Sequence, residues 1–428
     1  MTRFDVVVVG AGILGLSTAY HLKRQHPEKR VLLIDKEPAA GQGNTAKSAQ
    51  CFRNLYTSYA NFLLSDSSTN FYFHVQNELG YDLGMRKVGY LFLMSEQQYR
   101  DVSKIVRKAA PLGVETKTYE REDLEKSMGM NTDLSSDEEA EMMGLLNVDK
   151  GVLCVKAGYL SSDALVRFFE QEFKRLKGEV LYNTRAESLI LDYDVKIGIS
   201  QEPLIWQDKR VTGVSTSRGD FYAEETVIAM GTWCNTILDP VGIDSHMKPK
   251  KRQIFVVKAE SEELKRLLNT RGFNEENCLP IIILPSPSLF IKPMVEENSF
   301  WMVYPNHLGI EFRLEDDPQP HENYFTYGIR PVLTKYFPQF TGAKPSNMWA
   351  GQRECSTIDR LPYVFKRAGV VIVTGAHGRG VKQADSIGRI AAGLCVDQEY
   401  VELYGGRRFK VADLGVKERN VEREEFPI

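Results

Sequence analysis

The sequence predicts an α/β fold, α+β overall, in which a Rossmann-like domain is interleaved with a second domain that contains an antiparallel sheet. Three observations predict this arrangement. An apolar run near residue 4 leads into a glycine-rich turn, and apolar runs at 227–229 and 369–374 lead into two more glycine-containing turns. Segments of alternating polarity separate these motifs along the chain. Because nucleotide-type segments recur at the start, middle and end, we expect both domains to be built from separate stretches of sequence.

The first motif joins a strand to a helix through closely spaced glycines. Phe4 to Val9 is a continuous, β-branched run that suits a strand buried on both faces, and residues 15–26 carry apolar side chains at helical spacing. Gly10 permits a tight turn, Gly12 lets the backbone approach a pyrophosphate, and Gly15 lets the helix pack close to the strand. The motif therefore predicts a bound dinucleotide.

An acidic residue at the expected distance supports this prediction. The second apolar run, Val31 to Ile34, ends at Asp35, which lies twenty residues after Gly15. A carboxylate there can accept hydrogen bonds from both hydroxyls of an adenosine ribose, and it would repel a 2′-phosphate. A glycine turn without a ligand would leave this acid as a coincidence, so it is the weaker interpretation.

The overall composition indicates a globular protein that acts on small molecules. Hydrophobic residues make up 43% of the chain, and the net charge of −3 gives no general attraction to nucleic acid or to an anionic membrane. The six cysteines lack CxxC spacing, so neither a metal site nor a disulfide framework is predicted. No apolar window reaches the length of a membrane-spanning helix. We expect a cytoplasmic protein, with peripheral membrane contact and the oligomeric state left open.

Between the glycine motifs the sequence predicts a helix and several strands. The helix spans Ser161 to Lys177 and begins with a serine cap. The acidic run Ser135 to Glu141 is interpreted as a solvated surface insertion. Strands of the Rossmann-like domain are predicted at Val180 to Tyr182 and Arg210 to Arg218, and alternating patterns predict strands of the second domain at Lys87 to Met94, Arg252 to Lys258, Leu289 to Met294 and Phe300 to Tyr304.

A further glycine-rich turn lies near the C-terminus. Gly369 to Thr374 is an apolar run, residues 375–380 supply the turn, and a helix is predicted over Ser386 to Cys395. Free backbone donors at a helix N-terminus stabilise negative charge, so an anion or the edge of a reduced flavin could lie there. A strand-to-helix turn without a ligand fits the same pattern, but the N-terminal motif favours the ligand.

Four segments of the chain occur in an informative order. They are the N-terminal motif, VIAMGTW at 227–233, WAGQRECSTIDRLP at 349–362 and VTGAHGRGVKQADSIGRIAAGL at 373–394. In order and spacing they resemble the amino-acid oxidase superfamily of flavoproteins, which includes glycine oxidase, D-amino acid oxidase, sarcosine oxidases and dye-linked L-proline dehydrogenase. The similarity covers nearly the whole chain.

The resemblance implies FAD as the cofactor, with its pyrophosphate on the first helix and its isoalloxazine between the two domains. The implied FAD-binding domain comprises residues 1–86, 151–236 and 345–428, and the implied substrate domain comprises 87–150 and 237–344. No second GxGxxG occurs in mid-chain, which disfavours NAD as a second cofactor. Electrons are therefore expected to leave to oxygen, a quinone or a carrier protein.

Most of the residues assigned to cofactor binding lie in the glycine motifs and in the loop that follows Asp35. The assigned residues are Gly10, Gly12, Ile13, Leu14, Gly15, Asp35, Lys36, Ala46, Lys47, Ser48, Gly231, Trp233, Gly351, Gly378, Arg379, Gly380, Val381 and Lys382.

The resemblance also offers two ways to bind a substrate carboxylate. In sarcosine oxidases an Arg after the FAD-contact loop and a Lys after the C-terminal glycine turn hold it, and Arg53 and Lys382 match those positions. In glycine and D-amino acid oxidases an Arg within GLRP holds it, and Arg353 in GQRE matches, although Gln352 and Glu354 depart from that pattern. Strand alternation would place Arg353 and Glu354 on opposite faces. A bidentate guanidinium is the strongest carboxylate anchor available at neutral pH.

Three further side chains are candidates for the site. His377 completes the candidate catalytic set as a neighbour of the flavin ring. Tyr56 and Tyr304 are candidates for the pocket wall, although packing in the core is the more ordinary role for a buried tyrosine.

Two details of the sequence bear on the flavin. Sarcosine oxidases attach FAD through a cysteine in the stretch that here contains Cys355. Counted back from the matched Thr357 and Asp359, however, the attachment position falls on Gln352, so noncovalent FAD is predicted. Sarcosine oxidases also activate oxygen with a lysine in a substrate-domain strand, and the matching stretch 300–304 reads FWMVY. Slow reaction with oxygen, and faster reaction with a dye or quinone, is therefore predicted.

Together these features predict an FAD-dependent oxidoreductase that oxidises a small amino acid to an imine by hydride transfer to flavin N5. The expected substrate is secondary or N-methylated, such as sarcosine or proline, or is glycine-like. Because orientation and electrostatics suffice for this chemistry, no catalytic carboxylate is expected. Two alternatives stay open. One is a flavin-dependent 2-hydroxy-acid dehydrogenase, and the other is a flavoprotein that assists the assembly of a respiratory complex.

Overall fold

The structure, a computed structural model, describes residues 3–193, 195–304 and 309–426. Its strands are β1 (Arg3–Val9), β2 (Val31–Ile34), β3 (Cys51–Arg53), β4 (Tyr90–Met94), β5 (Thr116–Glu120), β6 (Lys150–Cys154), β7 (Ala157–Tyr159), β8 (Glu179–Leu181), β9 (Ala186–Tyr193), β10 (Lys209–Thr216), β11 (Gly219–Ile228), β12 (Met247–Lys258), β13 (Ile281–Ile283), β14 (Phe290–Met294), β15 (Ser299–Val303), β16 (Asn347–Ser356), β17 (Tyr363–Arg367), β18 (Val370–Thr374), β19 (Tyr400–Leu403) and β20 (Arg407–Lys410).

Helices pack against both of the large sheets. They are α1 (Ile13–Gln25), α2 (Tyr59–Asn77), α3 (Glu96–Ala109), α4 (Arg121–Met128), α5 (Glu138–Met142), α6 (Ser162–Arg175), α7 (Asn235–Leu238), α8 (Glu262–Leu268), α9 (Glu322–Tyr324), α10 (Arg330–Tyr336) and α11 (Gly380–Leu394). Within the described part of the chain, no helix has both the length and the apolar character needed to cross a membrane.

Five parallel strands form the centre of the first sheet, in the order β8-β2-β1-β11-β18. The antiparallel strand β17 extends it beyond β18, and β10 pairs with both β11 and β9. Strands from the start, middle and end of the chain thus combine in one sheet, as the glycine motifs predict. Because the carboxyl ends of parallel strands meet at one edge, the loops after β1, β2, β11 and β18 lie together.

The second sheet has eight strands in the order β16-β12-β15-β14-β13-β4-β6-β5. Its pairings are antiparallel, as predicted, except that β13 runs parallel to β4. The exception has a topological reason. Antiparallel neighbours can be joined by a hairpin, but β4 and β13 are separated by a long excursion through the first sheet, which leaves their relative direction free.

Two strands lie in a different sheet from the one that the sequence-based division implies. Residues 151–154 of β6 and residues 347–356 of β16 were assigned to the FAD-binding domain, yet both strands pair within the second sheet. Their partners are distant in sequence, so local patterns cannot identify them. The exact domain boundaries stay a prediction, with these strands as the observed departures.

The helices that approach the glycine turns differ from expectation at their starts. The predicted apolar stripe on α1 is broader in the structure, since residues 13–23 are all buried and the helix packs against both α6 and α11. The C-terminal helix α11 begins at Gly380, six residues before the predicted start, because the glycines disguise its first turn. The helix predicted from Ser161 is confirmed as α6, where the Ser161 hydroxyl accepts a hydrogen bond from the Ala164 amide at 3.1 Å.

Buried polar groups link α1 to α11. Asp385 Oδ1 lies 2.9 Å from His21 Nε2, and Asp385 Oδ2 accepts from Arg389 Nε at 2.8 Å. Burial lowers the pKa of His21 to about 4, so the ring is neutral at pH 7 and its Nε2–H donates to the carboxylate. We call His21, Asp385 and Arg389 the helix seam. In this seam the fully buried carboxylate of Asp385 is paired with a cation.

Candidate active site

A large cavity of about 1210 Å³ lies between the two sheets. The loops after β1, β2, β11 and β18 line it from one side, and β12 and β16 line it from the other. Its wall has two chemically different sections. The dinucleotide section contains the first glycine motif and Asp35, and the basic section contains Arg353, Arg379 and Lys382.

The glycines of the dinucleotide section are required for two different reasons. A side chain on Gly10, whose φ is +106°, would place Cβ 2.4 Å from the Ala229 carbonyl oxygen, and one on Gly15 would lie 1.8 Å from the Gly10 oxygen. Glycine is therefore required at these two positions by the packing of the protein backbone itself. A Cβ on Gly12 would meet only Thr45 Oγ1, at 3.6 Å, so the space beside Gly12 belongs to the cavity. That space fits a pyrophosphate at the start of α1.

Asp35 is held by the backbone at the point where β2 ends. Its Oδ2 accepts from the Ala11 amide at 2.5 Å and its Oδ1 accepts from the Glu37 amide at 2.8 Å. Burial raises the pKa of this carboxyl, and the two backbone hydrogen bonds oppose that effect. Each oxygen has a second acceptor position, so Asp35 can also receive the hydroxyls of a ribose.

The loop between residues 41 and 50 ties the dinucleotide section to the second sheet. Asn44 Oδ1 accepts from the Gln352 amide at 2.8 Å, and Asn44 Nδ2 donates to Thr232 Oγ1 at 3.1 Å. A Cβ on Gly351 would lie 2.8 Å from Lys47 Cβ, which explains why β16 has glycine at this point. The loop, β16 and the end of β11 therefore hold one another in place.

Sixteen of the eighteen residues assigned to the cofactor lie on the cavity wall. Gly15 lies beneath Gly10, and Ala46 donates its amide to the Gly41 oxygen at 3.1 Å without reaching the cavity. The residues on the wall are Gly10, Gly12, Ile13, Leu14, Asp35, Lys36, Lys47, Ser48, Gly231, Trp233, Gly351, Gly378, Arg379, Gly380, Val381 and Lys382.

The basic section is built by β16 and by the start of α11. Arg353 packs directly on Gly378, where a Cβ would lie 2.6 Å from the guanidinium Nε. The side chains of Arg353 and Lys382 make no hydrogen bond and no ion pair with the described residues. Arg379 is 3% exposed, and its Nη1 donates to the Arg360 oxygen at 2.7 Å while its Nε has no partner. The side-chain donors of Arg353 and Lys382 are available to a ligand, whereas Arg379 Nε has almost no accessible surface.

The cations of the basic section lack a negatively charged partner within the protein. Burial, followed by the nearby charges of Arg252 and Arg379, lowers the pKa of Arg353 to about 9. Burial, followed by repulsion from Arg53, lowers the pKa of Lys382 to about 7. Charged forms are destabilised here because like charges face one another without a counter-ion. An anion bound in this section would relieve that repulsion.

His377 supplies a neutral donor to the same wall. Its φ is +50°, a conformation fixed by the glycine-rich turn, and its Nδ1 accepts from the Ser356 amide at 3.1 Å. Burial, and then the charges of Arg353 and Arg379, hold the pKa of His377 far below its usual value. The ring is therefore neutral with its proton on Nε2, assigned from the hydrogen bond that Nδ1 receives.

Arg53 occupies a different position from Arg353 and Lys382. It is 2% exposed and does not lie on the cavity wall. Its Cζ lies 4.9 to 5.7 Å from the ring centroids of Tyr56, Tyr90, Phe92 and Phe426. Tyr90 and Phe426 belong to the wall, so Arg53 lies one layer behind it.

The two tyrosines proposed for the pocket also lie off the wall. Tyr56 packs against Arg53, and Tyr304 makes an edge contact with Tyr324, with ring centroids 5.7 Å apart. Neither lines the cavity.

Glu354 and Arg353 diverge as strand alternation predicts. Glu354 Oε2 accepts from the Ala376 amide at 3.3 Å, on the side of the loop after β18, whereas Arg353 packs on Gly378. Burial raises the pKa of Glu354 to about 7. Its carboxyl also lines the cavity, which the sequence argument did not anticipate.

Several wall residues escaped the sequence analysis. Lys250 and Arg252 come from β12, where Lys250 pairs with Arg353 of β16. Their alternate spacing in KPKKRQ is a signal for one strand face, but a basic run normally indicates a solvated surface. Arg360 and Phe426 lie in segments without periodic patterns.

A buried lysine lies near the loop between residues 41 and 50 without reaching the cavity wall. Lys292 of β14 pairs with Trp301, is 0% exposed and donates from Nζ to the Ala49 oxygen at 3.0 Å. Burial lowers its pKa to about 8. The stretch 300–304 has no lysine, but the neighbouring strand supplies one, which a search of a single stretch misses.

The residues that bear on flavin attachment both line the cavity. Cys355 is 7% exposed and burial raises the pKa of its thiol. Gln352 donates from Nε2 to the Arg313 oxygen at 2.7 Å. Noncovalent attachment stays a prediction.

Comparison with known proteins identifies relatives of this chain. A family model described as FAD dependent oxidoreductase (DAO) matches residues 5–394. "FAD-dependent oxidoreductase domain-containing protein 1" of Bos taurus is 24% identical, over 93% of this chain and 82% of that protein. Monomeric sarcosine oxidase of Bacillus sp. (strain B-0618) is 21% identical, over 92% of this chain and 93% of that protein.

Solved structures share the fold. L-proline dehydrogenase from P. horikoshii matches with a TM-score of 0.71 and 18% identity, over 92% of this chain and 93% of that chain. Glycine oxidase from Geobacillus kaustophilus matches with a TM-score of 0.69 and 17% identity, over 93% of this chain and 96% of that chain.

Proposed function

Because this chain belongs to the FAD-dependent oxidoreductase (DAO) family and uses FAD, we propose that it oxidises a small secondary or N-methylated amino acid to an imine. One observation carries the proposal. One continuous cavity connects the dinucleotide section to Arg353, a half-buried guanidinium without an ion pair among the described residues. An amino-acid carboxylate supplies the missing negative charge in a form that a guanidinium binds bidentately.

In this proposal Arg353 and Lys382 hold the carboxylate from two sides of the cavity. Arg353 projects from β16, and Lys382 lies in the first turn of α11. Arg53 acts from behind the wall, where it contributes positive potential and supports Tyr90 and Phe426. The arrangement combines both anchoring modes suggested by the sequence, with Arg353 rather than Arg53 at the substrate.

The surrounding residues also favour the reactive form of the substrate. FAD, when bound, accepts a hydride from the substrate α-carbon at N5. The substrate nitrogen must be neutral, because its lone pair becomes the second bond of the imine and its proton leaves to solvent. The cations of the basic section disfavour another positive charge, so they lower the pKa of the bound amine. His377, being neutral, adds a donor without adding charge.

The cofactor part of the proposal has a direct test. Gly12→Val should give colourless protein, because the new side chain fills space that the protein leaves to the pyrophosphate. Gly328→Val is the control, since a Cβ there meets nothing within 4 Å and the residue is far from the glycine motifs in sequence. The ratio of flavin to protein measures the effect. A Gly12→Val protein with its full flavin content would contradict the assignment.

The substrate class is decided by reduction of the bound flavin without oxygen. Sarcosine, proline, glycine and a panel of 2-hydroxy acids are each added anaerobically, and loss of the flavin colour is recorded. Reduction by an amino acid supports the proposal. Reduction by hydroxy acids alone identifies a 2-hydroxy-acid dehydrogenase instead, and reduction by none favours a role in assembly.

The electron acceptor and the mode of flavin attachment are tested on the same preparation. We propose that reduced enzyme reacts slowly with oxygen and faster with an artificial dye or a quinone, since Lys292 is engaged by Ala49 and lies off the cavity wall. Rapid reoxidation by air in a stopped-flow trace would overturn this. Flavin that stays with acid-precipitated protein would overturn noncovalent attachment.

A further inference from the structure

The hairpin that joins β9 to β10 carries a group of exposed apolar side chains. The structure describes residues 195–208 of this connection, which we call the apolar loop. Ile205 is 99% exposed, Val195 60% and Trp206 58%. Further exposed apolar side chains on the same hairpin are Leu191, Ile197 and Ile199. Single exposed apolar residues are ordinary on a protein surface, but a group of them in one hairpin indicates an interaction surface.

Polar side chains of the apolar loop are turned toward its own backbone. Glu202 accepts a hydrogen bond from the Ile197 amide at 2.5 Å. Gln207, although it is only 4% exposed, donates to the Val195 oxygen at 2.5 Å and to Glu202 at 2.8 Å. Gln207 also accepts from the Leu204 amide. The loop therefore keeps polar groups inside and presents apolar groups outside, which is the reverse of the usual distribution at a protein surface.

This arrangement suits surroundings that offer no hydrogen bonds. Water can satisfy the amides and carbonyls of an ordinary surface loop, so such a loop does not need an inward-facing residue like Gln207. In a lipid bilayer, by contrast, backbone polar groups must find their partners within the protein. Trp206 combines a large apolar ring with one N–H donor, and tryptophan is enriched where acyl chains meet headgroups. Lipid therefore matches both the exterior and the interior of the apolar loop.

The charges of the hairpin favour a zwitterionic lipid surface. Lys196 lies 2.8 Å from Asp192, and the exposed Asp208 and Lys209 follow one another where the chain enters β10. These charges come in opposite pairs, as do those of a zwitterionic headgroup, and the net charge of −3 gives the chain no general attraction to an anionic surface. Because a carboxylate such as Glu202 is costly at the centre of a bilayer, insertion is confined to the interface.

We infer that the apolar loop inserts into the boundary between headgroups and acyl chains of a lipid bilayer and attaches the protein peripherally. A protein partner would need a groove shaped for the projecting Ile205, whereas acyl chains adapt to a convex shape. The inference does not depend on the proposed amine oxidation, because residues 195–208 do not line the cavity. Attachment would bring the enzyme to a membrane quinone, one of the acceptors proposed above.

Vesicles of phosphatidylcholine test the inference. The FAD-loaded chain is mixed with increasing lipid and floated on a density gradient, and the bound fraction gives a partition coefficient. Ile205→Ser and Trp206→Ser should each lower it by about 5- to 20-fold, because each removes a large apolar side chain from the lipid. Met142→Ser is the matched control, since Met142 is 88% exposed but lies on α5. An equal loss in the control, or an unchanged partition in the Ile205 and Trp206 variants, would overturn the inference.

Tryptophan fluorescence reports the depth of insertion. Lipids brominated near the headgroup should quench part of the emission of the unmodified protein, and Trp206→Phe should abolish this quenching while its partition changes by less than about threefold. The ratio of flavin to protein checks that each variant is folded. Quenching that persists in Trp206→Phe would show that another surface contacts the lipid and would overturn the assignment of the apolar loop.

The other possible occupants of the apolar loop give different results. Sedimentation velocity without lipid shows whether copies of the chain associate. Self-association that Ile205→Ser abolishes, together with no flotation, would overturn the lipid in favour of a second copy. Flotation that requires phosphatidylserine and disappears at high salt would assign the contact to charge and would also overturn the inference. Absence of both flotation and self-association would leave a different protein as the partner and would overturn the lipid as well.

Discussion

The helix seam and the basic section both contain charged groups that are shielded from solvent, but in opposite situations. In the seam, Asp385 accepts from both His21 and Arg389, so the buried carboxylate has two partners. In the basic section, the side chains of Arg353 and Lys382 have neither hydrogen bonds nor ion pairs within the described chain. Both regions adjoin α11 and were formed by one sequence. The difference therefore marks where the protein completes its own electrostatics and where it leaves this to a ligand.

Breaking the seam should have the largest effect on stability. Asp385→Asn removes the charge that Arg389 faces and leaves a buried guanidinium without a counter-ion, which costs on the order of 3–5 kcal/mol. Urea unfolding monitored by circular dichroism measures the loss. A change below about 1 kcal/mol would show that the seam is not a paired buried charge in solution.

Removing Arg353 should instead reduce activity and leave stability intact. Arg353→Ala deletes a charge that is repelled by neighbouring cations, so the free energy of unfolding of the apoprotein should not fall. The value of kcat/KM should fall by an amount equivalent to a loss of about 2–5 kcal/mol in transition-state binding. Arg353→Lys should also reduce kcat/KM, because a point charge cannot reproduce the bidentate fork. Steady-state values of kcat/KM, normalised to bound flavin, test both expectations about activity.

Arg53→Ala provides the matched comparison. It should lower the unfolding temperature, because the guanidinium fills space among four aromatic rings, and it should affect kcat/KM less than Arg353→Ala. The reverse ranking of the two variants would favour the sarcosine-oxidase-like anchor. Equal and negligible activity losses would mean that neither arginine binds the carboxylate.

The pH dependence of Lys382 gives a smaller effect with a defined sign. Its pKa falls from 10.5 to about 7 in the folded protein, so the unfolded chain binds more protons between these values. Stability of the apoprotein should therefore rise with pH from about 7 to 10.5, and affinity for an anionic inhibitor should fall over the same range by up to tenfold per pH unit. Lys382→Met should remove both trends. A pH-independent affinity in the unmodified enzyme would contradict the role of Lys382.

An exposed ion pair should have the smallest effect on stability. Lys104 and Asp101 of α3 lie 3.5 Å apart with more than 60% of each side chain exposed. Water already solvates both charges, so Lys104→Ala should give no measurable change in Tm. A clear loss of thermal stability would indicate that solvent exposure is a poor guide to the strength of ion pairs in this protein.

Features that depend on local sequence motifs could be predicted from the sequence. The glycines and Asp35 predicted the dinucleotide-binding fold, and the ordered segments predicted FAD and the family, which the family match confirms. The basic section could be predicted only in part. Arg353 and Lys382 lie in recognisable motifs, whereas Lys250 and Arg252 join them through the register of β12 with β16, which no local pattern specifies.

The placement of Arg53 shows a second limit. Its match to the arginine that follows the FAD-contact loop of sarcosine oxidases marked it as a substrate contact, and its role stays a prediction. Its distance from the cavity depends on Tyr90 and Phe426, which are contributed by segments far away in the chain. Depth relative to a wall is a property of packing, so a motif cannot report it.

The first sheet combines strands from the start, middle and end of the chain, and this order limits when the protein can fold during its synthesis. Strand β1 lies between β2, which leaves the ribosome early, and β11, which begins only at Gly219. Helix α1 packs against α11, whose first residue is Gly380. Nearly nine-tenths of the polypeptide must therefore be made before the flavin pocket can close. A nascent chain would wait with apolar surface uncovered, which makes its yield in a cell dependent on chaperones and on the supply of flavin at the end of translation.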